Sequence, residues 1–260
     1  VEVKAAPEYV HFSVSSITIG MGQQYDVSNL GVLPEDSCPA LKFTPESSYV
    51  LNNLGDGVIK GKALGTTRVK VVTHNQQVAL LTVKVQSAPT VFTLTCDTPV
   101  VFVKDDIRFT VTFPTNTMGS VTFESSNEEV LSIDDSGNAH AITDGTAVVT
   151  ATSHNGIKVR YNVTVYKHVS GLSLADSALS IVHYDSVQLA ANVVPADAYD
   201  TSLVWTNSDP GSLSVDENGV ITALNVTSSP VTVTVTSNDG GFTDTCLVTV
   251  TPVRLADMQL

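Results

Sequence analysis

Hydrophobic and polar residues alternate along this chain with a period of two, which is typical of β-strands that bury one face. The clearest alternation is in a stretch that occurs three times, where the residues between the apolar positions are mostly Lys, Thr or Val. Helical spacing of apolar residues is not sustained over a useful length. The pattern therefore predicts an all-β protein, with these residues facing one way in the three stretches: Val69 and Val71, Val149 and Ala151, Val233 and Val235.

The three stretches belong to a unit of about 80 residues that is repeated three times. The copies open at Phe12, Phe92 and Leu172, and the first two keep a constant register through Val85 and Val165 with no gap at these landmarks. Each copy carries a central aromatic residue and a turn glycine. The aromatic residues are Phe43, Phe123 and Trp205, and the glycines are Gly57, Gly137 and Gly219.

Frequent turn signals divide each copy into about seven short strands, which is typical of an immunoglobulin-like sandwich. We predict an all-β fold of three tandem immunoglobulin-like β-sandwich domains in an elongated array. The predicted domains are residues 1–87, 88–167 and 168–252, followed by a tail at 253–260. The junctions are short, so neighbouring domains should be closely tethered.

Composition narrows the function classes. The net charge is −13, from 26 acidic and 13 basic residues, which disfavours nucleic acid and anionic membrane surfaces as partners. No apolar run approaches the length of a spanning helix, so no membrane insertion is expected in this fragment. The first residues lack a Met and a signal pattern, which is typical of a mature or excised fragment of something longer.

The three cysteines occupy non-equivalent positions, so the copies share no disulfide framework. Cys246 falls at an inward position of the last strand and is predicted to behave as a small buried hydrophobic residue. Cys38 and Cys96 lie in a loop and in an opening strand of the next copy. A Cys38–Cys96 bridge is an alternative that the sequence leaves open.

Two acidic turns raise the question of calcium. Asp134 precedes Gly137 and Asp216 precedes Gly219, and calcium requires several converging oxygen ligands. Each turn supplies only two or three carboxylates, and a turn in which Asp bonds its own backbone before a left-handed Gly explains the pattern. We predict structural turns and no cofactor, with calcium at the turns or the junctions as the alternative.

The aromatic residues suggest few binding positions. Trp205 aligns with Phe43 and Phe123, so it is predicted to be a core residue and not a sugar-stacking one. Tyr184 and Tyr199, near loops of the third copy, are the candidates for contact with a ligand. No Gly-x-Ser-x-Gly elbow or metal-site spacing of His and Cys is present, so no enzyme is predicted.

The later copies carry a recognisable set of motifs. The third has Trp205-Thr-Asn-Ser-Asp209 and then Leu213-Ser-Val-Asp-Glu-Asn-Gly219, and the second has Phe123-Glu-Ser-Ser-Asn127 and Gly145-Thr146. These copies resemble the bacterial Ig-like domain, group 2, which occurs in intimin- and invasin-type surface proteins. The resemblance covers nearly the whole chain, although the first copy is more degenerate.

The resemblance implies a place outside a cell or on a particle more strongly than any one activity. The first hypothesis is a non-catalytic spacer or stalk in a bacterial cell-surface or secreted protein, in contact with the flanking domains of its parent. The alternatives are an adhesin module that binds a host surface protein or glycan, and a phage virion decoration or tail-associated protein.

Overall fold

The structure is a computed structural model that describes residues 4–35, 37 and 40–253. Within these ranges the chain forms strands and turns, without a helix. Accordingly, the described part contains no helix that is long and apolar enough to cross a membrane. Cys38 lies outside the described residues, so the Cys38–Cys96 bridge is not tested. The predicted tail lies outside them from residue 254 onward.

The first repeat contains nine strands. Its main sheet has the order β2-β9-β8-β5, and the remaining strands form the groups β3-β7-β6 and β1-β4. The strands are β1 Tyr9–Phe12, β2 Ser16–Gly20, β3 Gln24–Asp26, β4 Leu30–Leu33, β5 Leu41–Pro45, β6 Leu51–Gly55, β7 Val58–Gly61, β8 Gly65–Thr73 and β9 Val78–Gln86.

The second repeat keeps this order with one strand fewer, because a continuous β12 replaces the pair β3 and β4. Its sheets are β11-β17-β16-β13 and β10-β12-β15-β14. The strands are β10 Thr93–Cys96, β11 Val101–Phe102, β12 Asp106–Thr112, β13 Val121–Ser125, β14 Leu131–Ile133, β15 Asn138–Ala141, β16 Gly145–Ser153 and β17 Lys158–Tyr166.

The third repeat again has nine strands, in the sheet β19-β26-β25-β22 and the groups β20-β24-β23 and β18-β21. The strands are β18 Gly171–Leu174, β19 Ala178–Val182, β20 Ser186–Gln188, β21 Ala191–Val194, β22 Leu203–Asn207, β23 Leu213–Val215, β24 Val220–Ala223, β25 Val231–Ser237 and β26 Thr243–Thr251.

Each hydrophobic core lies between two sheets. In the first repeat, Ile19 and Val83 of the main sheet belong to one buried cluster with Val10 and Ile59 of the other strands. The third repeat has an equivalent cluster, which includes the fully buried Cys246. All six alternating residues predicted to face one way are fully buried. The predicted all-β, immunoglobulin-like fold is confirmed.

The described residues fall into two compact units. Unit 1 consists of Val1–Pro99, Asp106–Ile142 and Thr146–Val163, and unit 2 consists of Val100–Asp105, Thr143–Gly145 and Thr164–Leu260. The division passes through the second repeat. The domain boundaries 1–87, 88–167 and 168–252 remain a prediction.

The predicted register of the first two copies is two residues off at their start. Asn75 bonds the carbonyl of Pro7, whereas its counterpart Asn155 bonds that of Pro89, so equivalent positions there are 82 residues apart. Val10, and not Phe12, is therefore the counterpart of Phe92. At Phe43 in β5 and Phe123 in β13 the offset has returned to 80, because loop length between strands is weakly constrained.

Candidate functional site

The two acidic turns use their carboxylates within the turn. Oδ1 of Asp134 and Oδ1 of Asp216 each accept the backbone N–H groups two and four residues further along, at 2.8–2.9 Å. Hydrogen bonds from the Asn138 side chain and then its backbone hold the pKa of Asp134 below its ordinary value. Among the described residues, no group of three or more His, Cys, Asp or Glu side chains could hold a metal ion. The geometry is that of a structural turn.

The glycine of each of these turns faces the aromatic residue of its repeat. Gly219 has φ +79°, and a Cβ there would lie 2.6 Å from Cζ2 of Trp205. Gly137 has φ +84°, and its Cβ would lie 3.1 Å from Cζ of Phe123. The shared motif of aromatic and glycine is thus a packing unit. Trp205 is only partly buried against the core of its repeat, whereas Phe43 is buried.

Tyr184 lies on the surface at the turn after β19. The residue is 78% exposed, and its ring stacks on that of His183 with centroids 3.7 Å apart. Its φ is +76°, a left-handed conformation that is rare for an aromatic residue. Tyr184 is therefore an exposed surface residue, and its contact with a ligand remains a prediction.

Tyr199 is 52% exposed but already has aromatic neighbours. Its ring meets the Phe102 ring edge-on at 5.6 Å and the Tyr166 ring at 4.7 Å. The His168 ring also stacks on the Phe102 ring, with centroids 3.8 Å apart. Tyr199 and Tyr184 are therefore not brought together, and Tyr199 belongs to a cluster where the second repeat leads into the third.

An ion pair lies beside this cluster in unit 2. The Lys167 ammonium is 3.0 Å from carboxylate oxygens of both Asp144 and Asp197. A lysine beside a carboxyl group could form a covalent amide cross-link, but this reaction would require a neutral amine and a protonated carboxyl. The hydrogen bonds that Lys167 donates to Asp144 and Asp197 instead raise the pKa of Lys167, and the bond from Lys167 lowers the pKa of Asp197. Lys167 and Asp197 therefore stay charged near neutral pH, which is typical of an ion pair that joins two segments and not of a reactive site.

A second set of contacts joins the first and second repeats within unit 1. His154 Nε2 lies 3.1 Å from the carbonyl oxygen of Met21, and the Met118 N–H donates to the Ser87 carbonyl. The Met118 carbonyl lies so close to Gly20 that a Cβ there would be 2.1 Å from its oxygen. Gly20 is therefore a close-approach glycine, required because a neighbouring backbone occupies the space of a side chain.

The second repeat has an open groove of about 600 Å³ on the sheet that contains β12. Asp106 and His140 pair across it at 2.7 Å, and the Arg108 side chain donates to Asn138. The backbone N–H of Arg108 also donates to Asp97, which lowers the pKa of that carboxyl. These polar groups pair with one another on an open surface, so the groove has the character of a solvated sheet face.

The sequence analysis did not single out the residues that join the repeats, which are His154, Lys167 and His168. Their partners are brought close by folding and carry no local signal. The one sequence feature that indicated contact between the repeats was the shortness of the two junctions, which cannot keep neighbouring repeats apart.

Parts of this chain are similar to known bacterial proteins. An uncharacterized protein of Clostridium acetobutylicum is 37% identical over 103 residues, covering 39% of this chain and 25% of that protein. Lacto-N-biosidase of Bifidobacterium bifidum is 40% identical over 82 residues, covering 27% of this chain and 7% of the enzyme. The chain thus spans a quarter or less of these relatives.

Among solved structures, invasin, a bacterial integrin-binding protein, aligns with a TM-score of 0.39 at 16% identity. The alignment covers 93% of this chain and 58% of invasin. The family match is more direct: residues 90–163 and 168–248, more than half of the chain, match the bacterial Ig-like domain (group 2). With its repeated strand order and its paired aromatic and glycine turns, the chain belongs to the bacterial Ig-like domain (group 2) family.

Proposed function

We propose that this chain is a non-catalytic, tension-bearing spacer in a bacterial cell-surface or secreted protein. Membership of the family supports an extracellular structural role. The observation that carries the proposal is the parallel pairing, in each repeat, of an early strand with the last strand.

The pairing is longest in the first and third repeats. Ser16–Gly20 of β2 pairs with Thr82–Gln86 of β9, and Ala178–Val182 of β19 pairs with Leu247–Thr251 of β26. The chain enters a repeat before the first of these strands and leaves after the second. A pull on both ends therefore slides the two strands past each other. Because their hydrogen bonds run between the strands and are evenly spaced, they carry the load together and do not open one at a time.

The second repeat has the shortest such pairing. Its β11 is only two residues long, and Val101 and Phe102 pair with Val165 and Tyr166. Fewer hydrogen bonds share the load there. The proposal therefore expects the second repeat to yield before the other two.

Single-molecule pulling through the two chain ends tests this proposal, because forced unfolding follows the unfolding rate. We expect three events, each extending the chain by roughly 26–29 nm for about 80 residues. The lowest force should belong to the second repeat. Leu131→Ala removes a fully buried side chain of the second repeat. It identifies the unfolding event of that repeat, because only the force of that event should change. Uniformly low forces, or a second repeat that outlasts the others, would contradict the proposal.

A second candidate function, adhesion, is favoured by a surface of the first repeat. Tyr9, Val14, Val78 and Leu80 are exposed there and line an open groove, with the Tyr9 ring stacked on that of His11. The counterparts of Val78 and Leu80 are Lys158 and Arg160 in the second repeat and Thr243 and Thr245 in the third. Since the fold accepts polar residues at these positions, packing alone does not require the apolar ones.

The adhesive candidate is tested by binding of the purified chain to whole cells, polysaccharides and extracellular-matrix proteins, with and without calcium. Val78→Lys combined with Leu80→Arg copies the residues of the second repeat and should abolish saturable binding. Tyr49→Ser alters another exposed residue of the same repeat and should leave binding unchanged. Binding that survives the double variant would remove this surface from consideration.

A further inference from the structure

The same turn follows the early parallel strand in all three repeats. In each, an N–H group bonds a carbonyl near the end of the last strand: Met21 to Gln86, Val103 to Tyr166 and His183 to Thr251. The next residue has a left-handed conformation in each case, with φ +85° at Gly22, +79° at Lys104 and +76° at Tyr184. A final N–H returns to the strand: Gln23 to Gly20, Asp105 to Phe102 and Asp185 to Val182. The three turns are structurally equivalent.

The first two turns are covered by the repeat that follows each of them in the chain. The Met118 carbonyl approaches Gly20, and the His154 ring bonds the Met21 carbonyl. At the second turn, the rings of His168 and Tyr199 pack against Phe102. In both cases the covering groups come from the leading segment of the next repeat, from its last hairpin, or from the loop before the strand that carries its central aromatic residue.

The third turn has no such cover among the described residues. Val182, at the position of Gly20 and Phe102, is 37% exposed, and Tyr184 beside it is 78% exposed. Leu224 and Val226 at the same end are 40% and 48% exposed, and the His183 ring bonds the Leu224 carbonyl. We call these residues, Val182, Tyr184, Leu224 and Val226, the distal patch.

We propose that the distal patch is a docking surface for a further Ig-like repeat that follows in the same polypeptide. Both equivalent turns are covered by the next repeat in sequence, which argues for the same kind of occupant here. A short tether gives the following repeat an effective concentration in the mM range, so a small patch suffices. A free second copy would need a larger interface to stay bound. The inference rests on the equivalence of the turns and does not depend on the tension-bearing role.

Hydrogen exchange of the chain tests the inference first, because its turns are internal controls. The amides of Val103 and His183 donate equivalent backbone hydrogen bonds, as do those of Asp105 and Asp185, so a difference in exchange within each pair reports the cover of its turn. We expect the amides of His183 and Asp185 to exchange about tenfold faster than their counterparts in the second repeat. Equal rates would overturn the proposal, because they would mean that the third turn needs no further cover.

A tandem protein then supplies a following repeat, with a second copy of residues 1–252 joined directly after residue 252. Peptides that span 183–185 should split into two equal populations, a slow one from the first copy and a fast one from the second. Tyr184→Ser should abolish the slow population, whereas Tyr49→Ser, at an equally exposed residue, should not. A single fast population in the unsubstituted tandem would overturn the proposal. Self-association of the 260-residue chain that is lost in Tyr184→Ser would also overturn it, by assigning the patch to a second copy.

Discussion

The side-chain amide of Asn75 donates a hydrogen bond to the carbonyl oxygen of Pro7, 68 residues earlier in the chain, at 2.7 Å. Asn155 makes the same bond to Pro89 at 2.8 Å. In the third repeat the roles reverse, and the Asp239 carboxylate accepts the Val169 N–H at 2.7 Å. The last hairpin of each repeat thus fixes the segment that leads into it.

Removing one of these amides should destabilise its own repeat. Asn155→Ala leaves the Pro89 carbonyl without its donor, which we expect to cost about 1–3 kcal/mol of unfolding free energy. Asn155→Asp should cost at least as much, because a carboxylate then faces a carbonyl oxygen. Urea unfolding measures both, with Asn52→Ala at an exposed strand position as a control expected within about 0.5 kcal/mol of the parent. Equal stability of all three variants would show that the hairpin does not hold the leading segment.

The pairing of Gly219 with Trp205 gives a second prediction. Gly219→Ala places a methyl group 2.6 Å from the indole at a left-handed φ, and should cost about 2–4 kcal/mol from conformation and overpacking together. Gly241→Ala shares the left-handed φ of +63° but meets nothing within 4 Å, so it should cost only about 1–2 kcal/mol. Trp205 is the one tryptophan of the chain, and its fluorescence follows unfolding of the third repeat. Equal costs for the two substitutions would rule out the contact with the indole as the cause.

Local pattern predicted those parts of the fold that depend on local physics. Period-two alternation identified the buried faces at Val71 and Val233 because a strand exposes and buries its residues in turn. The Asp–Gly turns were readable because the carboxylate of Asp134 bonds its own neighbouring backbone. The buried position of Cys246 followed from its alignment with the apolar residues of the other last strands.

The register of the first copy and the contacts between repeats could not be read in the same way. Phe12 and Phe92 look equivalent in sequence, but a hydrogen bond from Asn75 to a distant carbonyl determines the true alignment. Tyr199 was expected as a free surface residue, yet Phe102, nearly a hundred positions earlier, packs on it. Such pairs depend on which segments folding brings together, and neither partner carries a local mark of the other.

The carboxylate turns should make stability depend on pH in acid. Asp134 has a folded-state pKa below its ordinary value of 3.8, chiefly because the Asn138 side chain donates to it. Between the folded and unfolded pKa values the unfolded chain binds more protons, so this stabilisation is present above pH 3.8 and is lost as pH falls through the lowered pKa. Asp134→Asn should therefore make the urea midpoint of unfolding fall less steeply as the pH is lowered into the acid range. Asp135→Asn, at the exposed neighbouring position, is the control, and an identical fall of the midpoint for both variants would contradict the assignment.

The buried thiol of Cys246 should report the opening of the third repeat. Cys246 is fully buried, and burial raises its pKa, so both access and the reactive thiolate are suppressed. We expect a water-soluble thiol reagent to modify Cys246 at least roughly a thousandfold more slowly than the partly exposed Cys96, because reaction must await unfolding that costs several kcal/mol. Mass spectrometry of the modified peptides gives both rates. Gly219→Ala should raise the modification rate of Cys246 and leave that of Cys96 unchanged. The reason is that destabilising the third repeat raises the fraction of unfolded molecules for that repeat alone. Equal acceleration at both thiols would mean that the second and third repeats open as one cooperative unit.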